Sequence, residues 1–290
     1  MTTPIVPVRV TALPSNTVAS RIGQLSPLPT MRRASVRAVT ARLAAALLGS
    51  SLICGAAVSA PADSLVGPTP AEAAVNVCPT PKTNVLTTVP ATRAKNVALT
   101  FDDGPSPKWT PQVLDLLKAN HVHATFFMVG ENARRYPALV RRVRAEGHTI
   151  GNHSYSHPIM TRLTRSGQAA QMDTATRYIS AAITGGYKPC FFRPPGGAYN
   201  STTVSLARSR GMSTATWSRD TRDWTTPLYV SSSFQRSIVY KATQPSSSHP
   251  DVLMHDGSPG NYRQNTVNSV QRIITYYNSR GYIFTNPAGR

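Results

Sequence analysis

Two histidines four residues apart, His153 and His157 in the stretch GNHSYSHP, can serve as packing, as pH-sensing groups or as two nitrogen ligands of a metal. Their spacing alone does not choose. Two adjacent carboxylates, Asp102 and Asp103 in TFDDGPS, add what is missing. One carboxylate and two imidazoles make three protein ligands, and three ligands with a position left open is the form of a catalytic zinc site. The other aspartate then has a role as the base that takes a proton from a water attacking a carbonyl. Arg193 can hold that base ionised and aimed through charge-assisted hydrogen bonds. His255, in VLMHDG, is a second proton carrier able to donate to a leaving nitrogen or oxygen, and Asp223 is a candidate to hold its imidazole and raise its pKa.

These residues lie far apart in the chain and need a frame that gathers them. Short apolar or β-branched runs at 96–103, 124–130, 148–154, 190–195, 213–220, 251–257 and 282–286 are seven strand candidates. Helical spacing appears between them: Tyr136, Leu139, Val140 and Val143 share one face, as do Met172, Ala175, Ile179 and Ala182, and Val267, Val270, Ile274 and Tyr277. Strands alternating with helices predict a parallel α/β architecture, with the strand count favouring a barrel over an open sheet. In such a barrel chemistry gathers at the C-terminal strand ends, where Asp102, Asp103, His153, Arg193, Asp220, Asp223 and His255 all fall. Adjacent aspartates on a continuing strand would face opposite sides, so Gly104 and Pro105 are expected to turn the chain and bring both carboxylates to one cleft.

The front of the chain belongs to no such frame. From Met31, arginines at 32, 33, 37 and 42 precede an Ala/Leu-rich stretch from Leu43 to Ala60, the order of a secretory signal peptide. Residues 1–73 are therefore expected to be a leader with its true start at Met31, residues 74–95 an N-terminal arm or linker, and 96–290 the catalytic domain. The apolar run is interrupted by Gly49, Ser50, Ser51 and Gly55, which argues against a stable membrane span. Export leaves Cys78 and Cys190, an even pair expected to form a disulfide in an oxidising setting. The whole chain carries a net charge of +19, and about +15 remains after residue 73. Anionic cell-wall polymers are then plausible partners, whereas nucleic acid is disfavoured because the basic residues form no single dense run and the protein is expected to be exported. A monomer is expected.

As a set, TFDDGPS, HSYSH, RPPGG, DTRDW and VLMHDG, in this order, resemble the five motifs of the NodB-like polysaccharide deacetylases, carbohydrate esterase family 4, over roughly residues 95–287. The resemblance implies a distorted (β/α)7 barrel, a divalent metal (Zn2+, with Co2+ as an alternative), and hydrolysis of N-acetyl groups on N-acetylglucosamine polymers such as chitooligosaccharides or peptidoglycan. Acetylxylan esterase is the alternative within the family, and a non-catalytic cell-wall glycan-binding protein the alternative outside it. By position, Asp102 matches the base; Asp103, His153 and His157 the metal ligands; Arg193 the residue that orients the base; Asp223 the support of the acid; and His255 the acid. Trp224, Gly196, Tyr199 and Leu253 are the implied substrate-binding residues, with a backbone N–H after Arg193 facing the oxyanion. Two positions depart from the family pattern. Gly196-Gly197 replaces an aromatic residue common after Arg-Pro-Pro, and Arg219 stands where an apolar residue is common, adding charge expected to bear on substrate choice.

Overall fold

The computed structural model describes residues 78–91, 93–245, 249–257 and 262–290. The expected leader, with the signal peptide and Met31 start read from the sequence, lies outside the described residues. The chain divides into Met1–Leu65 and Val66–Arg290, and all that follows concerns the second unit.

In chain order the elements are β1 (Asn96–Asp102), α1 (Thr110–Ala119), β2 (Thr125–Met128), α2 (Gly130–Arg135), α3 (Pro137–Ala145), β3 (Thr149–Asn152), α4 (Arg165–Ala182), β4 (Phe191–Phe192), α5 (Ser201–Ser209), β5 (Ser213–Thr214), β6 (Arg219–Asp220), α6 (Ser232–Thr243), β7 (Asp251–His255), α7 (Gln264–Asn278) and β8 (Ile283–Phe284). The strands lie in the order β5-β4-β3-β2-β1-β7-β6, with β8 beside β1, and every pairing is parallel. This curled parallel sheet, a half-barrel covered by helices, is the distorted (β/α)7 barrel expected. One strand candidate divides in two. The run at 213–220 supplies both β5, paired with β4, and β6, paired with β7, at opposite ends of the strand order, and residues 215–218 cross between them.

Local sequence explains the helix starts. Prolines open α1 and α3, where a missing N–H costs nothing. Thr164 caps α4 by accepting from the Gly167 N–H, and Asn200 with Thr203 forms a capping box on α5. Helices α1, α2, α5 and α6 are not singled out by the apolar spacing of the sequence.

Strand β1 is buried throughout, as a central parallel strand covered on both faces must be. Its alternation sorts two environments. Val97, Leu99 and Phe101 join the main apolar core with Val113, Leu117, Val270 and Ile274 of the flanking helices. Thr100 and Asp102 take the other face and both reach Arg193. In β7, Val252 and Met254 enter the same core, while Asp251, Leu253 and His255 face the site.

The Pro/Thr/Val-rich arm before β1 is held in place without a helix or ladder of its own. Leu86 forms an isolated parallel bridge with Ala215, and the Val89 N–H donates to the His249 carbonyl at 3.0 Å. Cys78 and Cys190 are joined in a disulfide. Among the described residues, no helix is long and apolar enough to cross a membrane.

Candidate active site

Strand β1 delivers the two aspartates, and the backbone separates them. Asp102 ends the strand on its inward face, whereas Asp103 adopts a left-handed conformation (φ 73°) that begins the turn one residue before the glycine. Gly257 of the HDG stretch lies against this turn: a Cβ there would fall 2.2 Å from the Asp103 carbonyl carbon, so only glycine lets the β7 turn approach the β1 turn. Asp102 and His255 are paired neighbours in the β1–β7 register.

The loop after β3 carries both histidines, with Ser154 and His157 also left-handed (φ 65° and 59°). Strained non-glycine residues cluster here as they commonly do at functional sites. His153 Nδ1 lies 2.7 Å from the Arg193 carbonyl, which can only accept, so the ring proton sits on Nδ1 and Nε2 presents a lone pair. That Nε2 is 3.5 Å from Asp103 Oδ1 and 3.6 Å from Asp102 Oδ2, and His157 Nε2 is 3.2 Å from Asp103 Oδ1. One ligand atom from each of Asp103, His153 and His157 falls within 4.8 Å of the others. Burial works against a charged Asp103, yet the two histidines hold its carboxyl well below the usual carboxylate range. An ionised carboxylate and two imidazole nitrogens that converge, one with its tautomer fixed, fit a divalent cation.

Arg193, fully buried, is the hub beneath the cleft. Its guanidinium donates to Asp102 Oδ1 at 3.0 Å, Thr100 Oγ1 at 2.6 Å, the Thr216 carbonyl at 2.6 Å and Asp251 Oδ1 at 2.9 Å. Its planar face lies 4.0 Å from the Phe127 ring centroid. Two buried carboxylates thus share one guanidinium. Burial, with Asp102 nearby, pushes Asp251 up to about 6 although Arg193 pulls it down. Sequence reading missed Asp251, whose only signal is its place two residues before Leu253 and four before His255 on the inward face of β7.

His255 Nδ1 lies 2.7 Å from Asp223 Oδ1, and its backbone N–H donates to Asp223 Oδ2 at 2.8 Å. Thr266 also donates to Asp223 Oδ2 at 2.8 Å, and the buried Arg263 reaches the Asp223 carbonyl at 3.2 Å. Burial would keep His255 neutral, but Asp223, followed by Asp103 and Asp102, outweighs it and lifts the imidazole to about 9. Asp223 itself is held below its ordinary value, against its burial, by His255 and Arg263.

These groups open on a cleft of about 370 Å³ lined by Asp102, Asp103, His153, His157, Gly196, Leu253, His255 and Trp224, with Trp217, Asp220 and Arg263 completing the wall. Arg193 and Asp223 sit behind this lining, both at 0 % exposure. Trp224 is 48 % exposed, and the Arg222 guanidinium carbon approaches its ring to 5.2 Å from the centroid. Gly197 allows Trp217 to close in: its φ is 70°, and a Cβ would meet the indole at 2.9 Å. Tyr199 is exposed and does not line the cleft. Arg219 corrects an expectation: strand alternation turns it away from Asp220 and the cleft, and its guanidinium donates to the Gln244 carbonyl at the end of α6, so it adds no charge to the substrate groove.

Comparison with known proteins decides the family. The polysaccharide deacetylase family model matches residues 90–215. A peptidoglycan-N-acetylglucosamine deacetylase of Bacillus cereus is 38% identical over 192 residues, covering 66% of this chain and 85% of that protein. The chain belongs to the NodB-like polysaccharide deacetylases, carbohydrate esterase family 4. A chitooligosaccharide deacetylase of Sinorhizobium fredii is 35% identical, covering 68% of this chain and 94% of that protein. Among solved structures, the Bc1960 peptidoglycan N-acetylglucosamine deacetylase superposes with a TM-score of 0.63 at 33% identity, covering 69% of this chain and 89% of that one. Membership makes this protein a carbohydrate deacetylase, a hydrolase acting on carbon–nitrogen bonds.

Proposed function

We propose that this deacetylase is secreted, requires a divalent metal, and removes the N-acetyl group of N-acetylglucosamine in cell-wall peptidoglycan, releasing acetate. One observation carries the reading: Asp102 and His255, side by side across β1 and β7, flank the Asp103–His153–His157 trio within a single cleft. A base, an acid and a ligand set in one place are what amide hydrolysis needs.

Asp103, His153 and His157 would hold the ion, zinc in our reading, which when bound polarises the acetyl carbonyl and lowers the pKa of the attacking water. Asp102 takes the proton from that water, and Arg193 keeps the accepting oxygen aimed through the 3.0 Å bond to Oδ1. As the carbonyl carbon becomes tetrahedral, its oxygen gathers negative charge and calls for a hydrogen-bond donor. In the turn after Arg193, Pro194 and Pro195 have no N–H, and Gly197 and Ala198 spend theirs on the Pro194 and Pro195 carbonyls at 2.9 and 3.2 Å. We therefore assign the donor to Gly196, which lines the cleft. His255, kept protonated by Asp223, hands its proton to the departing amine, so the C–N bond breaks to leave acetate and a free amino sugar. Trp224 offers an exposed aromatic face to a sugar ring.

Peptidoglycan is favoured over chitooligosaccharides by the positive balance after the leader, which suits an anionic wall. The test is acetate release from purified peptidoglycan, N-acetyl chitooligosaccharides and acetylated xylan, before and after chelation and after return of zinc or cobalt. Metal-restored release, fastest on peptidoglycan, is expected. Faster release from xylan would move the assignment to ester hydrolysis, and no release from any of the three by metal-loaded protein would bring forward a glycan-binding role.

A further inference from the structure

We propose that the N-terminal arm and its disulfide position Arg193, so that Leu86, Cys78 and Cys190 are positioning residues for a reaction in which they touch neither substrate nor metal. The inference rests on the deacetylase reading for its kinetic arm and on the structure alone for the other.

The contacts run in one direction. Arg193 takes two of its anchors from the chain that follows β5: it donates to the Thr216 carbonyl at 2.6 Å and reaches the Ala215 carbonyl at 3.4 Å. Ala215 and Thr216 lie beyond the last pair in the β4–β5 register, where the chain leaves the sheet towards β6. On the β4 side this segment is tied by the Ala215 N–H to the Phe192 carbonyl at 2.9 Å. On the other side the partner is the arm. The Leu86 N–H donates to the Thr214 carbonyl at 2.9 Å, and the Thr216 N–H donates to the Leu86 carbonyl at 2.8 Å, so Leu86 brackets Ala215 as an added strand residue would. The Lys82 N–H adds a third bond, to Ser213 Oγ at 3.1 Å.

Side chains fasten the same place. Leu86, Ala215, Cys190, Phe191 and Phe127 form one buried cluster, with Cys78 packed on it. Phe127 is the ring beneath the Arg193 guanidinium. The disulfide enters this cluster from Cys78 and fixes the arm to Cys190, three residues before Arg193. Without the arm, the Thr216 N–H would lose the bond that fixes the Ala215–Thr216 peptide plane, so the Ala215 carbonyl in that plane and the Thr216 carbonyl one residue on would both lose their fixed place against the guanidinium. A fork of five donors aims a carboxylate only while its other bonds are fixed.

The test compares the full-length protein with Cys78→Ser/Cys190→Ser and, separately, Leu86→Pro, which removes the Leu86 N–H and keeps the disulfide. Each is made with Arg193 intact and in an Arg193→Lys background. With Arg193 intact, kcat is expected to fall on the order of tenfold, below the roughly hundredfold that a misplacement of one ångström can cost, while KM stays within about twofold. In the Arg193→Lys background the same changes should lower kcat by less than about twofold, because residues acting through a common partner do not add. Melting temperature, followed in all variants, should drop equally in both backgrounds. An equal loss of kcat in both would overturn the proposal and leave the arm as a stabiliser only. An unchanged kcat would also overturn it.

The second readout needs no turnover: solvent exchange of the Arg193 guanidinium protons by 15N NMR, its signal assigned by absence in Arg193→Lys. Exchange should quicken at least about tenfold in either arm variant, and unchanged exchange sinks the proposal. A parent protein that releases no acetate but shows quickened exchange in the variants would refute the deacetylase reading and leave the positioning role standing. Should the double cysteine variant fail to fold, Leu86→Pro decides by the same two measurements.

Discussion

The barrel has a histidine-bearing cleft at each end, and the two behave in opposite ways. At the C-terminal strand ends lie His153, His157 and His255 in about 370 Å³; at the N-terminal ends of β2 and β3 lie His121, His123 and His148 in about 420 Å³. What differs is the company of carboxylates. His255 faces Asp223 at 2.7 Å and is lifted to about 9. His148 is buried too, but its neighbours are His123 and Arg142, and burial first, then those charges, push it down to about 4. The acid of the lower cleft, Glu146, is already bound to Arg142 at 2.7 Å. The size of a cleft and its number of histidines therefore say little. A site needs acids free to set the protonation of its bases.

The largest break in this contrast comes from Asp102→Asn, which keeps the shape and removes the base. Its kcat should fall on the order of a thousandfold, the range of general-base contributions, with an unchanged circular dichroism spectrum. Retention of more than about a tenth of the activity would remove Asp102 from its role.

Asp223→Asn comes next, with a loss on the order of a hundredfold in kcat and a shift in its pH profile. His255 has its pKa raised, so its acid form prevails at low pH and is lost as pH rises through the raised value. A cation on Asp103 would cancel the help His255 gains from that carboxylate, leaving Asp223 as its main support. The alkaline limb of kcat should lie below about 9 in the metal-loaded enzyme and move further down, toward the ordinary histidine value of about 6.5, in the variant. An alkaline limb indifferent to the substitution would show that another group donates the proton.

Asp251→Asn should have a smaller effect, about tenfold in kcat with KM little changed, because Arg193 keeps Asp102, Thr100 and Thr216 as partners. Steady-state kinetics on one substrate suffice to check it.

How much of this was legible follows from where each signal sits. The residues at strand ends were readable because apolar runs mark the strands and turn chemistry marks where they stop, so Asp102, His153, Arg193 and His255 fall at one end by counting alone. Asp251 was not readable, since an aspartate opening an apolar run looks like a strand boundary until β7 is set beside β1 and Arg193 arrives between them. The split of 213–220 was hidden for a related reason: a run of β-forming residues does not say which neighbour it pairs with, and here its two halves pair at opposite ends of the sheet order. Arg219 was misplaced because a side chain's face depends on strand phase, which the bend at 215–218 resets. The arm was invisible as structure, because its bonds are made to distant partners and leave no local period.

The smallest catalytic effect, and the sharpest test of the contrast, belongs to the lower cleft. His148→Asn retains an acceptor for the Ala124 N–H, which His148 Nδ1 now receives at 3.2 Å, so the local backbone keeps its bond. Activity should stay within about twofold of the parent, since among the described residues none lines both clefts. Stability should change its pH dependence instead. A histidine with a folded pKa near 4 and an unfolded one near 6.5 leaves the unfolded chain binding more protons between those values. Its contribution is fully present above about pH 6.5 and is lost as pH falls to about 4, on the order of 3 kcal/mol over the window. Thermal melts at pH 4, 5, 6 and 7 should therefore show the parent losing stability relative to His148→Asn as pH falls. Parallel melting curves would mean that His148 takes up a proton as readily in the folded protein as in the unfolded chain, and the separation of the two clefts by their carboxylates would fail at its lower end.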